Sequence, residues 1–244
     1  MRWNGGLPTP NIAAAELAVL SLTALVCLSW LQARSNRGWG CRLSIILCAM
    51  FACGSLTGIA ATGSRAGSLA FVCAAAACAA LGGLRWRWFL LSAGGLAALV
   101  LALPHAARFA PLAGDGSIDA RFTVWRATLA MIADHPWSGI GLSEIPMAFD
   151  CWYMPADKRS HFVTALNEPL TMAAAWGVPA LALATAALAA VIAAGVRAAR
   201  AGSRLGALGV ALLVVLVVAG QFQSHVFMDW WWGRFLVLGK RPLA

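Results

Sequence analysis

The sequence predicts an all-α fold: a polytopic membrane helical bundle of about six transmembrane helices, with one large outer loop containing an amphipathic helix. Three observations predict it. The 244 residues are 61% hydrophobic and only 11% charged, a balance that suits a chain whose solvent is lipid. Six apolar segments, at about 11–32, 43–62, 66–84, 88–104, 169–195 and 205–222, approach the roughly 20 residues that a spanning helix needs. Between the fourth and the fifth, Pro104 to Glu168 is the one long polar stretch, and it carries three of the four histidines and seven of the nine acids. The chain therefore divides into helices one to four (1–105), the loop (106–168), and helices five and six with a C-terminal interfacial segment (169–244).

The net charge of +9 does not mark a nucleic-acid binder, because the basic residues punctuate the gaps between helices and do not gather on one polar domain. Arg34, Arg37 and Arg42 fill one gap, Arg85 and Arg87 another, and Arg197, Arg200 and Arg204 a third, with no acid in any of them. The positive-inside rule puts these gaps in the cytoplasm. The N-terminus, the Gly63 to Arg65 turn, the long loop and the segment after Gln221 then face outward, with His105, His135, His161 and His225. An outward N-terminus without a signal peptide reads as a middle helix of a longer protein.

The first helix begins near Asn11, after a turn-rich opening. Helices two and three are rich in Ala, Gly, Ser and Cys, small side chains that let membrane helices approach closely. They are expected at the centre of the bundle. Cys27, Cys48, Cys53, Cys73 and Cys78 lie in spans as small hydrophobes, and Cys151 alone in the loop gives no disulfide framework. Between helices two and three, TGSRAGS leaves a tight turn with Arg65 at the head of a helix. Arg65 is either a snorkelling arginine or, with Ser64 and the backbone N–H groups, a phosphate seat favoured by the helix dipole.

In the loop, Ser117 is placed to cap a helix from Ile118 to about His135, ended by Pro136. Ile118, Phe122, Trp125, Leu129 and Ile132 form an apolar stripe at three- and four-residue steps, for burial against the bundle or the lipid surface. Arg121 and Trp125 are one turn apart, so the indole can support the guanidinium by stacking, whereas Arg126 projects toward water or headgroups. The glycines of WSGIG supply a tight or close-packed turn. His161, Asn167 and Glu168 then cluster at the mouth of helix five, where Asn167 is either a site residue or an N-cap before Pro169. Trp230 to Trp232 read as an interfacial belt, and His225 and Asp229 could pair. No P-loop, CxxC pair or HExxH motif supports a nucleotide or metal site.

Taken in order, TPNIAA, TGSRAG, RFTVWRATLAMIADHPWSGIG and LNEPLTMAAAWGVPAL resemble the O-antigen ligase and polymerase superfamily, which includes pilin O-oligosaccharyltransferases. The resemblance runs from Pro8 to about Leu183. It implies the C-terminal half of a metal-independent, cofactor-free glycosyltransferase on the outer face of the bacterial inner membrane. The donor would be an undecaprenyl diphosphate-linked glycan and the acceptor a hydroxyl of lipid A-core, a growing glycan or a protein. It further implies that Arg65 and Arg121 hold the diphosphate, and Ser64 and Arg126 join them as candidate diphosphate-binding residues. Where the family has His-Asn at the helix-five entrance, this chain has Leu166-Asn167. Either His161 supplies the imidazole, or Glu168 does the acid–base work, or activity is lost. A transporter or noncatalytic scaffold is the alternative of another class, disfavoured because no ionisable residue lies near the middle of a span; Glu16 comes closest.

Cysteines introduced one at a time at Asp115 and Gly202 should differ in accessibility to a membrane-impermeant thiol reagent, Asp115 labelling from outside and Gly202 protected. Equal labelling of the two would overturn the topology.

Overall fold

The computed structural model describes residues 10–33, 39–82, 85–102, 116–155, 162 and 164–222. All six apolar segments fold as helices, and no strand occurs among the described residues. In chain order the helices are α1 (Pro10–Ala33), α2 (Trp39–Thr62), α3 (Arg65–Ala80), α4 (Trp86–Ala102), α5 (Gly116–Asp134), the short α6 (Ile145–Ala148) running into a π-helical turn at Phe149–Tyr153, α7 (Glu168–Arg200) and α8 (Arg204–Gly220). Pro10–Gln32, Trp39–Thr62 and Glu168–Arg200 are long and apolar enough to cross a membrane. The other three apolar helices, α3, α4 and α8, have 16, 17 and 17 residues. At about 1.5 Å per residue they fall short of a hydrocarbon core of roughly 30 Å. In α3 the reason is local: Gly82, at φ 76°, turns the chain aside just after the helix ends.

The chain divides into two compact units, Met1–Pro111 with Leu188–Ala219, and Leu112–Ala187 with Gly220–Ala244. In the first, α1 packs against α2 and α3, and α4 against both of the latter. The expectation that helices two and three form the centre holds for α3, where Ala70, Phe71, Ala74, Ala75 and Cys78 are fully buried, and needs correcting for α2, whose place α1 takes. Its apolar window is 67% buried against 28% for α2, which turns Leu43, Ile46, Leu47 and Met50 outward. Small residues decide this, as close approach and dispersion must hold helices together where lipid tails are as apolar as Leu. Gly67 of α3 comes so near α1 that a Cβ there would fall on the Ala14 methyl, and one on Gly58 of α2 would lie 2.8 Å from Leu17 Cδ1. Phe71 is fully buried in the same core as Ala70, Ala74, Ala75 and Leu22. The C-terminal end of α7 and α8 form a hairpin that crosses at glycine, with Gly206 lacking room for a Cβ 2.9 Å from the Gly195 carbonyl.

The second unit is built around a break in α7. Gly177, at φ 84° and ψ 168°, leaves the helix, and Pro179 lies just beyond it. In an unbroken helix Val178 and residue 179 would donate to the carbonyls of Ala174 and Ala175. Here Val178 N–H donates instead to the Pro136 carbonyl at 2.8 Å, and Pro179 has no N–H to give. The WSGIG segment supplies the replacements: Ile140 N–H donates to Ala174 O at 2.8 Å and Gly141 N–H to Ala175 O at 3.0 Å. The contact admits only glycine on each side. A Cβ on Gly139, at φ 65°, would strike the Ala175 carbonyl, and one on Gly177 would strike that of Trp137.

Against this crossing, Val124, Ala127 and Met131 of α5 pack with Ile145, Ala148, Phe149, Ala174 and Ala175. Of the expected stripe, Ile132 is part-buried on this core, while Phe122 and Leu129 are exposed on the other apolar face of the helix. Ser117 also falls inside α5, which starts at Gly116.

Gly139→Ala and Gly177→Ala should each destabilise the protein by about 2 kcal/mol or more, since backbone strain and a clash with a fixed carbonyl combine. Gly94→Ala and Gly95→Ala, in α4 with open space around them, should be close to neutral. Thermal unfolding in detergent compares the two pairs.

Candidate active site

The TGSRAG turn folds as its residue types dictate. Gly63, at φ 60°, closes α2. Thr62 donates its hydroxyl to the Ile59 carbonyl at 2.7 Å and accepts from Ser64 N–H at 3.2 Å. Ser64 is the N-cap of α3: its hydroxyl accepts from Gly67 N–H at 3.0 Å and donates to Asn11 Oδ1 of α1 at 2.7 Å. Asn11 of TPNIAA and Ser64 of TGSRAG thus meet, which links two separated pieces of the sequence pattern. Ser64 is 2% exposed and engaged on both sides, so its hydroxyl fixes the turn. Arg65 follows as the first residue of α3, half-buried, where the helix N-terminus favours an anion.

In the second unit, three expected site residues meet the same turn at the end of α8. Arg121 of α5 donates through Nη1 to the Phe222 carbonyl at 2.6 Å, and its guanidinium lies 6.0 Å from the centre of the Phe222 ring. Trp125 sets its ring edge-to-face with Phe122, centroids 5.7 Å apart. Asn167 donates through Nδ2 to the Gln221 carbonyl at 3.2 Å and to Gln221 Oε1 at 3.3 Å. Glu168 lies against Gly220, where an added Cβ would sit 2.9 Å from Glu168 Cγ. Gln221 and Phe222 were not singled out by sequence reasoning. The available signal was a helix-ending glycine followed by an amide able to partner Asn167, but no local period marks such a turn.

Asn167 is also the N-cap of α7, its Oδ1 accepting from Leu170 N–H at 3.0 Å. Thr171 reinforces the entrance by donating its hydroxyl to the Asn167 carbonyl at 2.8 Å and accepting from Ala165 N–H at 3.2 Å. These bonds hold Leu166 at φ 54°, the one non-glycine residue with positive φ among the described residues. A side chain in that region costs roughly 1–2 kcal/mol, so the entrance is a strained place held by its surroundings.

The remaining candidates fall elsewhere or out of view. Arg126 is exposed on α5, as expected. His135 is exposed at the end of that helix. Beside it, Tyr153 donates to Asp134 Oδ2 at 2.8 Å, and this hydrogen bond, with lesser help from burial and the carboxylate charge, raises the phenol above its usual range. His161, His105 and His225 lie outside the described residues, as do Asp229 and Trp230 to Trp232. Among the described residues, no three His, Cys, Asp or Glu side chains gather to ligate a metal. Arg65 belongs to the first unit, and Arg121, Asn167 and Glu168 to the second.

The family model described as O-antigen ligase matches residues 50–185, a span that holds Ser64, Arg65, Arg121, Arg126, His161, Asn167 and Glu168 and stops before Gln221. A search of curated proteins finds no match. The match covers more than half of the 244 residues, and three helices are long and apolar enough to cross a membrane, so this multi-pass membrane protein belongs to the O-antigen ligase family.

Proposed function

We propose that this member of a glycosyltransferase-like ligase and polymerase family transfers a glycan from undecaprenyl diphosphate to an acceptor hydroxyl at the periplasmic face of the bacterial inner membrane. The observation that carries this reading is the meeting of Arg121, Asn167 and Glu168, all within the family match, around one turn of the fold. A loop cation and the polar mouth of a membrane helix, brought together, suit a lipid-borne anionic leaving group beside a sugar hydroxyl.

In the proposed step the acceptor oxygen attacks the anomeric carbon and the bond from that carbon to the diphosphate oxygen breaks. The diphosphate leaves with the electron pair, and the acceptor proton passes to a base. Charge on the leaving group needs fixed cations in a poorly hydrated site, which Arg65 and Arg121 would provide as planar forks. Arg126, being exposed, would meet the donor at the headgroup level. An imidazole titrates near neutral pH and suits the proton transfer, so His161 is assigned as base. Asn167 orients the helix entrance and Glu168 stands beside it. Lipid A-core is the acceptor for a ligase, with the glycan of a polymerase or a protein hydroxyl as the alternatives within the same chemistry. Offering the three acceptors in turn with one lipid-linked donor separates them.

Arg65→Lys and Arg121→Lys should each reduce transfer by about tenfold or more, because a point charge replaces a bidentate fork. If the two grip one diphosphate, the double variant should lose less than the product of the single losses. Normal transfer by either single variant would remove that arginine from the donor site.

His161→Ala should lower transfer by about a hundredfold or more while leaving expression and donor binding intact. Normal transfer by His161→Ala together with loss in Glu168→Gln or His225→Ala would reassign the base, and activity in all three would remove acid–base catalysis by these groups.

A further inference from the structure

We propose that Phe222 is a positioning residue of the donor site, its carbonyl and ring together setting the orientation in which the Arg121 guanidinium receives a diphosphate. The inference rests on the proposed role of Arg121 and goes beyond it to a residue outside the family match. A guanidinium carries five N–H donors in a fixed plane. Committing Nη1 to the Phe222 carbonyl at 2.6 Å restrains rotation about the last bonds of the side chain, and the guanidinium carbon lies over the Phe222 ring, 6.0 Å from its centre. The arginine is half-buried, and so is Phe222.

The turn itself has little freedom to follow the arginine. Asn167 grips the Gln221 main chain and side chain while its own Oδ1 is tied to Leu170 N–H, and Glu168 fills the space beside Gly220. An arginine left to itself would sample many rotamers and lose that entropy on binding an anion. One oriented beforehand by a carbonyl and a ring face does not, which is how a residue that touches no substrate can raise affinity for one.

The test measures binding of undecaprenyl diphosphate to the full chain in detergent micelles, with wild type, Arg121→Ala, Phe222→Leu, Phe222→Tyr and the Arg121→Ala, Phe222→Leu pair. Phe222→Leu should weaken binding about tenfold, Phe222→Tyr should restore it to within about twofold, and Phe222→Leu should add nothing to Arg121→Ala. If Phe222→Leu fails to accumulate, Phe222→Met takes its place with the same expectation. Wild-type affinity in Phe222→Leu beside a loss in Arg121→Ala would overturn the positioning role and leave the donor reading standing. Equal losses in the Leu and Tyr variants would also overturn it, since they would mark a packing defect. Wild-type affinity in Arg121→Ala would remove the donor reading and the inference with it.

Discussion

A helix that loses its own hydrogen bonds must find others, and in this protein that requirement governs the second unit. Gly177 and Pro179 release the carbonyls of Ala174 and Ala175 and the amide of Val178. Each group, left unsatisfied away from water, would cost several kcal/mol. The segment Pro136–Gly141 answers all three with bonds of 2.8 to 3.0 Å. Everything near the crossing follows from it: α5 ends at Asp134, just before that segment begins, and Val124, Ala127 and Met131 pack with Ala174 and Ala175.

The first unit solves a different problem. Its helices have ample apolar surface and lipid would solvate it as well as protein, so association depends on closeness. Gly67 against Ala14 and Gly58 against Leu17 supply that, and the Ser64 to Asn11 hydrogen bond adds a directional tie between α1 and the head of α3. The arginine that heads α3 is thereby carried on a turn whose hydroxyls and amides are already matched to one another.

Much of this was legible in the sequence because it depends on local chemistry. Long apolar runs specified the helices, TGSRAGS specified a tight turn with Arg65 at the head of a helix, and Asn167 before Pro169 specified a helix start. The WSGIG glycines marked a close-packed turn, though not the partner they would meet. What was not legible depends on choices between equivalent local options. α5 has apolar residues on two faces, and only the Ala-rich surface waiting for it decides that Val124 and Met131 go in while Phe122 and Leu129 stay out. α1 takes the centre in place of α2 because Ala14 and Leu17 match glycines on two partners, which no single-helix pattern reveals. Gln221 and Phe222 gained their importance from Arg121 and Asn167, residues far away in the chain.

The crossing at Gly177 also bears on how the protein is made. Pro136–Gly141 lies upstream of α7, so the ribosome delivers the replacement donors and the accepting Pro136 carbonyl before the broken turn that needs them. When Ala174 and Ala175 emerge, their partners already exist, and the defect can be closed as it appears. Were the order reversed, a span with two exposed carbonyls and an orphaned amide would have to wait at the membrane for its complement, in a medium that offers none. The direction of synthesis thus shelters a helix whose sequence would otherwise be poorly suited to insertion.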